Sequence, residues 1–202
     1  MPPPGPPEPR HALVVNAHPD PDPARLCHAL AEAYAEGARA AGFTVERLDL
    51  GALDFPPIRS RRDYETSTPP PDIAASQAAL ARASHVAFVL PIWLGGPPSR
   101  MVAWLEQTLR PGFAREVAGP GEIGKAGLGG RSARLIATMG MPALAYRFWF
   151  WGHGLANLRR AVLGFVGFSP IRTILIGGAG AVPPARAAKL LAEARALGAA
   201  LR

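Results

Sequence analysis

Five times along this chain a short apolar run gives way to a stretch with helical spacing, and that alternation restricts the fold most. HALVVNA (11–17), FTVERLDL (43–50), HVAFVLP (85–91), RSARLIATMG (131–140) and IRTILIGG (171–178) read as strands. Residues 25–42, 72–83, 98–109, 142–166 and 183–201 carry helical signal, the first closed by Gly42 and the last opened by prolines. A Pro-rich loop is expected at 54–71 and a Gly-rich connection at 111–130. Such repetition builds a parallel sheet covered on both faces, because parallel neighbours need a crossover, usually helical and right-handed. For five strands the expected α/β architecture is a three-layer sandwich of strand order 2-1-3-4-5. A ligand would sit outside the carboxyl ends of the strands, near the point where that order reverses.

At 202 residues the chain reads as one domain over 11–202, preceded by a disordered Pro-rich lead-in, MPPPGPPEPR (1–10). The lead-in lacks the apolar core of a signal peptide, and no apolar run of about 18 residues suits a membrane span. The single cysteine, Cys27, excludes an internal disulfide framework and a multi-cysteine zinc site, and it suits a reducing, cytoplasmic setting. The formal charge of +7 comes from scattered arginines, so nucleic acid is not expected as a partner.

In the order 2-1-3-4-5, strands 1, 3 and 4 are neighbours, and the loops after them share one crevice. Those loops begin AHPDPDP, PIWLGGPP and TMGMPALAY. The first ends at a helix N-terminus, where unpaired N–H groups and the helix dipole favour an anion, with His18 and Arg25 close by. In the second, Trp93 offers a flat face, and Gly95 and Gly96 let backbone approach a planar ligand; otherwise Trp93 plugs the sheet end. The third leaves its strand through Gly140, exposing backbone N–H groups to a ring edge. The two aspartates of the first loop read as turn-formers between prolines.

These residues carry a resemblance. NAHPDPDPARLCHALAEAYAEGARAAGFTVERLDL, LPIWLGGPPSRMVAWLEQTLRPGFA, GGRSARLIATMGMPALAYRFWFWGHG and VLGFVGFSPIRTILIGG resemble the flavodoxin-like NAD(P)H:quinone oxidoreductase family over about residues 11–178. The resemblance implies a flavodoxin-like fold and a homodimer with a non-covalent flavin near the subunit interface. It also implies NAD(P)H as co-substrate and a small quinone-like acceptor served in ping-pong fashion. The extension that grips the adenine of FAD is not evident, which favours FMN. The family's phosphate-loop histidine falls on His18, and its following aromatic on Leu26, flanked by Arg25 and Cys27. Its ring-covering segment falls on Pro91, Ile92, Trp93 and Leu94, with Gly95 next, and its fourth-strand segment on Thr138, Met139, Gly140 and Met141. Its catalytic tyrosine and histidine fall on Tyr146 and, one position displaced, His153. These two would donate to the reducible carbonyl, while N–H groups at Met139 to Met141 steady the reduced ring. Tyr146 also reads as one aromatic among Phe148, Trp149, Phe150 and Trp151, and His153 as a helix-entry turn residue. The family's Ser/Thr after the phosphate loop is replaced by Pro23 and Ala24.

Other chemistries find less support. A metal site at AHPDP would need a carboxylate where Pro21 stands and a further histidine pair downstream, so no metal is expected. GPGEIGKA (119–126) has Ala126 where a phosphate loop needs a hydroxyl, and reads as a flexible connection. Cys27 reads as a buried small side chain, His28 as a surface helix residue, and His11 and His85 as structural. A regulatory or electron-carrying subunit on the same fold is the alternative function, with FWFW (148–151) as its partner surface.

Overall fold

The computed structural model describes residues 3–8, 10–119 and 122–201. Five strands, β1 (His11–Asn16), β2 (Thr44–Asp49), β3 (His85–Pro91), β4 (Ser132–Thr138) and β5 (Ile171–Ile176), form one sheet in the order β2-β1-β3-β4-β5, as expected. Every pairing is parallel, with His11 beside Thr44, His85 beside Ser132 and Pro91 beside Thr138. β1 and β3 are buried along their whole length, while the edge strands β2 and β5 are partly exposed. That gradient follows from the order, since the apolar runs LVV and VAFVL lie at the centre of the sheet.

The helices are α1 (Leu26–Ala40), α2 (Arg61–Glu65), α3 (Pro71–Arg82), α4 (Ser99–Thr108), α5 (Ala143–Phe148), α6 (His153–Asn157) and α7 (Pro184–Ala199). On one face Leu30, Ala31 and Tyr34 of α1 and Ala194 of α7 cover Val14, Ala87 and Ile136. On the other, Ile73 and Leu80 of α3 and Met101 and Trp104 of α4 cover Leu13, Phe88 and Leu135. Gly37 and Gly198 set the spacing of α1 and α7. A Cβ on Gly37 would lie 1.9 Å from the Arg195 oxygen, and one on Gly198 2.0 Å from the Tyr34 oxygen. α1 closes with the Gly42 N–H on Arg39 O and the Phe43 N–H on Ala38 O, the paired bonds that a left-handed glycine allows.

Two stretches depart from the sequence reading. The 54–71 loop contains α2, started by Ser60, whose hydroxyl accepts from the Asp63 N–H at 3.1 Å. The helical signal at 142–166 is divided into α5, α6 and a π-helical segment, Leu158–Gly164. Trp151 (φ 54°) and Gly152 (φ 58°) are both left-handed, which no right-handed helix passes through.

Residues 3–8 of the lead-in form no helix or strand. The buried Arg131 guanidinium donates to Gly5 O at 2.9 Å, and the Glu8 N–H donates to Arg82 O at 2.8 Å. Met1, Pro2 and Pro9 of that expected segment, and Pro120 and Gly121 of the expected 119–126 connection, lie outside the described residues.

Candidate functional site

The first loop is a chain of side-chain-to-backbone turns. Asn16, fully buried at the end of β1, donates to Asp49 Oδ1 (2.9 Å) and accepts from the His18 N–H (3.2 Å). Asp20 Oδ1 accepts the Asp22 N–H, and Asp22 Oδ1 the Ala24 N–H, both at 2.9 Å. Each aspartate therefore nucleates its own turn. The Asp22 N–H, then the Arg25 side chain at 2.7 Å, hold the Asp20 carboxyl below the usual range. His18 Nδ1 lies 3.1 Å from the Asp20 N and 3.3 Å from Asp20 O, and the shorter contact, with the Asp20 N–H donating, favours the imidazole proton on Nε2. Burial lowers the His18 pKa, so near neutral pH this ring is an uncharged single donor.

His28 departs from its expected place on the surface. Its side chain is only 13% exposed, with Nε2 3.1 Å from Asp20 O and Nδ1 3.7 Å from Asp49 Oδ1. It stands in the first turn of α1, against the loop. No side chain caps α1, and among the described residues the N–H groups of Leu26 and Cys27 meet no acceptor. Two free donors at the start of a 15-residue helix favour negative charge there. The Cys27 side chain takes another course. It is buried, 3.4 Å from Thr138 Oγ1, and burial raises its thiol to about pKa 11.

The second loop makes a hairpin turn at the end of β3. Trp93 and Gly96 exchange both backbone hydrogen bonds, at 2.9 and 3.0 Å, around Leu94 (φ 49°) and Gly95 (φ 81°). Two successive positive φ angles give the turn type that suits a two-residue hairpin. The Ile92 N–H donates to Thr138 O at 2.7 Å, tying the turn to the end of β4. Pro91 and Ile92 are buried, the Trp93 ring is half-exposed, and Leu94 projects fully into solvent. Trp93 meets His18 edge-on, with centroids 5.8 Å apart. The tryptophan thus contacts the first loop as well as offering a face.

In the third loop the Met139 N–H donates to Ile176 O at 2.9 Å. Of the three N–H groups expected at a ring edge, this one is already committed. Those of Gly140 and Met141 meet no acceptor among the described residues. Thr138 and Met139 are buried, Gly140 exposed and Met141 partly so.

Tyr146 lies on α5, 1% exposed. Its hydroxyl donates to Gly95 O at 3.0 Å and accepts from the Leu155 N–H at 3.3 Å. The sequence expectation had this hydroxyl giving its proton to a bound carbonyl; in the structure that proton is committed to Gly95. His153, at the start of α6, is exposed, and its imidazole makes no hydrogen bond among the described residues. It is close to the hairpin turn, because a Cβ on its neighbour Gly154 would lie 2.1 Å from Gly95 O.

The structure therefore brings all three loops and α5 together through His18–Trp93, Cys27–Thr138, Ile92–Thr138 and Tyr146–Gly95. Arg25 stands at the rim, half-exposed and paired with Asp20. The crevice has free N–H donors after β1 and after β4, with an aromatic turn between them after β3. That set suits a planar ring joined to an anionic tail, as in FMN, and the residues present fit such a group. Among the described residues no cluster of His, Cys, Asp and Glu could hold a metal, and no helix is long and apolar enough to cross a membrane. Three features escaped the sequence reading: the Asn16 bridge to Asp49, the left-handed Leu94, and the approach of Gly154 to the turn. Only Gly154 left a trace, as one glycine between histidine and leucine.

Comparison with known proteins gives the same architecture. NAD(P)H dehydrogenase (quinone) 1 of Rattus norvegicus is 28% identical over 208 residues, a match covering 87% of this chain and 71% of the rat protein. The solved NAD(P)H:quinone oxidoreductase from Methanothermobacter marburgensis superposes with TM-score 0.72 at 23% identity, covering 95% of this chain and 96% of that one. An FMN-dependent NADH-azoreductase from Bacillus anthracis, solved in complex with FMN, superposes with TM-score 0.71 at 15% identity, covering 95% and 98%. The family model for the flavodoxin-like fold matches residues 10–201, and the chain belongs to that flavodoxin-like family.

Proposed function

We propose that this chain is a flavin-dependent NAD(P)H:quinone oxidoreductase. One observation carries the proposal. Free N–H donors after β1 (Leu26, Cys27) and after β4 (Gly140, Met141) flank the Trp93 turn after β3, which suits FMN with its phosphate at α1 and its ring edge at β4. The activities for which the rat, Methanothermobacter and Bacillus proteins are named agree with it. FMN is preferred to FAD.

The overall reaction is NAD(P)H plus a proton plus a quinone, giving NAD(P)+ and the hydroquinone. Bound FMN would supply the two-electron relay between the two substrates. The protein's own part is orientation. The α1 terminus and the His18 Nε2–H would hold the phosphate end, with Arg25 available when it leaves Asp20. The hairpin turn, braced by Tyr146, would set the ring plane, and the Gly140 and Met141 N–H groups would face the ring edge where negative charge accumulates. His153, exposed beside the turn, would exchange a proton with the acceptor.

A homodimer in a cytoplasmic setting belongs to the same proposal. An apolar groove of about 850 Å³, between α4, residues 111–118 and 122–124, and the π-helical segment, supports the dimer. Val102, Val117, Ile123 and Phe165, all exposed in the single chain, line it. Incubation with FMN, desalting and anaerobic addition of NADPH test the function. Retained flavin absorption that bleaches and returns with a quinone is the expected result. Retention without bleaching would select a regulatory or electron-carrying subunit, and loss of flavin on desalting would overturn the assignment of the crevice.

A further inference from the structure

We infer that the aromatic ribbon Arg147–Trp151 seats the protein on an anionic lipid surface. Phe148 (67% exposed), Trp149 (82%), Phe150 (48%) and Trp151 (75%) follow one another in solvent, with Leu144 (68%) one turn earlier on α5. An ordinary surface helix buries one stripe and wets the other. Here the described residues from Arg147 to Trp151 are all exposed, and Tyr146 is the one buried anchor of α5. Four consecutive large rings in water form a patch of the kind that marks an interaction site.

Charge selects the occupant. Residues 123–192 contain nine Lys and Arg and no Asp or Glu, while the remainder of the chain holds 13 cations against 15 anions. The ribbon lies inside that stretch, of whose nine cations all but the buried Arg131 and Arg134 reach the surface, and the Arg147 guanidinium stands 5.6 Å from the Phe148 ring centroid. A second copy brings the same cationic stretch, so a contact between two such stretches gains no charge complementarity. An anionic bilayer satisfies both features. Tryptophan and phenylalanine rings partition into the headgroup boundary, and arginine beside them meets lipid phosphate. The Tyr146–Gly95 bond places the ribbon at the rim of the crevice. On the functional proposal above, on which this part rests, docking would bring the site to the surface where apolar quinones dissolve.

The test is co-sedimentation of the full chain with vesicles of phosphatidylcholine alone and of phosphatidylcholine with one third phosphatidylglycerol. Gel filtration and FMN retention are measured on the same preparations. Sedimentation with the anionic vesicles only is expected, lost in Trp149→Ser/Trp151→Ser and restored in Trp149→Phe/Trp151→Phe. Arg147→Gln should weaken it about fivefold, the effect of one cation at such a surface. Equal sedimentation with both vesicle types, none with either, or undiminished binding by the double serine variant would overturn the inference. So would a double serine variant that elutes as a monomer where the parent elutes as a dimer, because the ribbon would then lie between copies. FMN retention reports separately on the crevice, so failure of one reading leaves the other standing.

Discussion

The Tyr146 hydroxyl joins two elements that sequence separates by 60 residues, donating to Gly95 O at 3.0 Å while accepting from the Leu155 N–H at 3.3 Å. One side chain thereby fixes the hairpin turn after β3 to the start of α6. Burial raises the phenol pKa further, so the proton stays in place through the neutral range.

Tyr146→Phe keeps the ring and removes both bonds, leaving a carbonyl and an N–H without their partner. A loss of about 1–3 kcal/mol in denaturant unfolding is expected, together with weaker FMN retention as the turn loosens. The pH profile of quinone reduction should keep its shape, since the phenol donates to Gly95 O. A limb of that profile disappearing in the variant would return Tyr146 to the role of proton donor.

Leu94 has φ 49° with its side chain fully in solvent, so its conformation is maintained by the turn and not by packing. Leu94→Gly relieves the left-handed strain, which for a non-glycine residue is about 1–2 kcal/mol, against the entropy that glycine adds to the unfolded chain. A net gain of about 0.5 kcal/mol is expected in chemical denaturation. FMN affinity should fall in the same variant if the leucine covers the ring, and equal affinity would limit Leu94 to the turn.

Much of this was legible because it depends on periodicity. The five strands, their order and the three loops follow from alternation of apolar runs and helical stretches, and Gly42 ends α1 as such a glycine should. What was hidden depends on contacts made across the fold. The aromatic run at 148–151 reads as helix, and nothing in its composition announces left-handed backbone at Trp151. His28 reads as surface because its burial comes from the Pro/Asp loop folding back over α1. Tyr146 matched a proton donor by position, and its bonds to Gly95 and Leu155 are contacts that no local pattern announces. Ser60 and Asp63 did offer a capping pattern, masked by the prolines around them.

His85 lies at the amino ends of the strands, away from the crevice. It is 3% exposed, with Nε2 2.8 Å from the Tyr34 hydroxyl and Nδ1 2.7 Å from the Ser132 hydroxyl. Burial, then the nearby Arg134 charge, lower its pKa from 6.5 to about 4. The unfolded chain therefore takes up this proton below pH 6.5 while the folded chain does not until about pH 4. Stability falls as pH drops through that window, by up to roughly 3 kcal/mol. Urea unfolding at closely spaced pH values should show this decline, and His85→Gln should flatten it. An unchanged slope in the variant would assign the decline to other groups.

Asp20 sets the electrostatics of the proposed anion end. Its carboxylate holds Arg25 at 2.7 Å and places a negative charge beside the α1 terminus, whose Leu26 and Cys27 N–H groups are free for an anion. Asp20→Asn preserves an acceptor for the Asp22 N–H, removes the charge and weakens the hold on Arg25. FMN should then bind roughly three- to tenfold more tightly at low ionic strength, with the gain shrinking as salt screens these exposed groups. Riboflavin, which has the same ring and no phosphate, supplies the control in the same fluorescence titration. A gain for FMN alone would locate the phosphate at α1. An equal gain for riboflavin would mean that the substitution had altered the ring site through His18, whose Nδ1 accepts the Asp20 N–H, and the anion end would then have to lie elsewhere in the crevice.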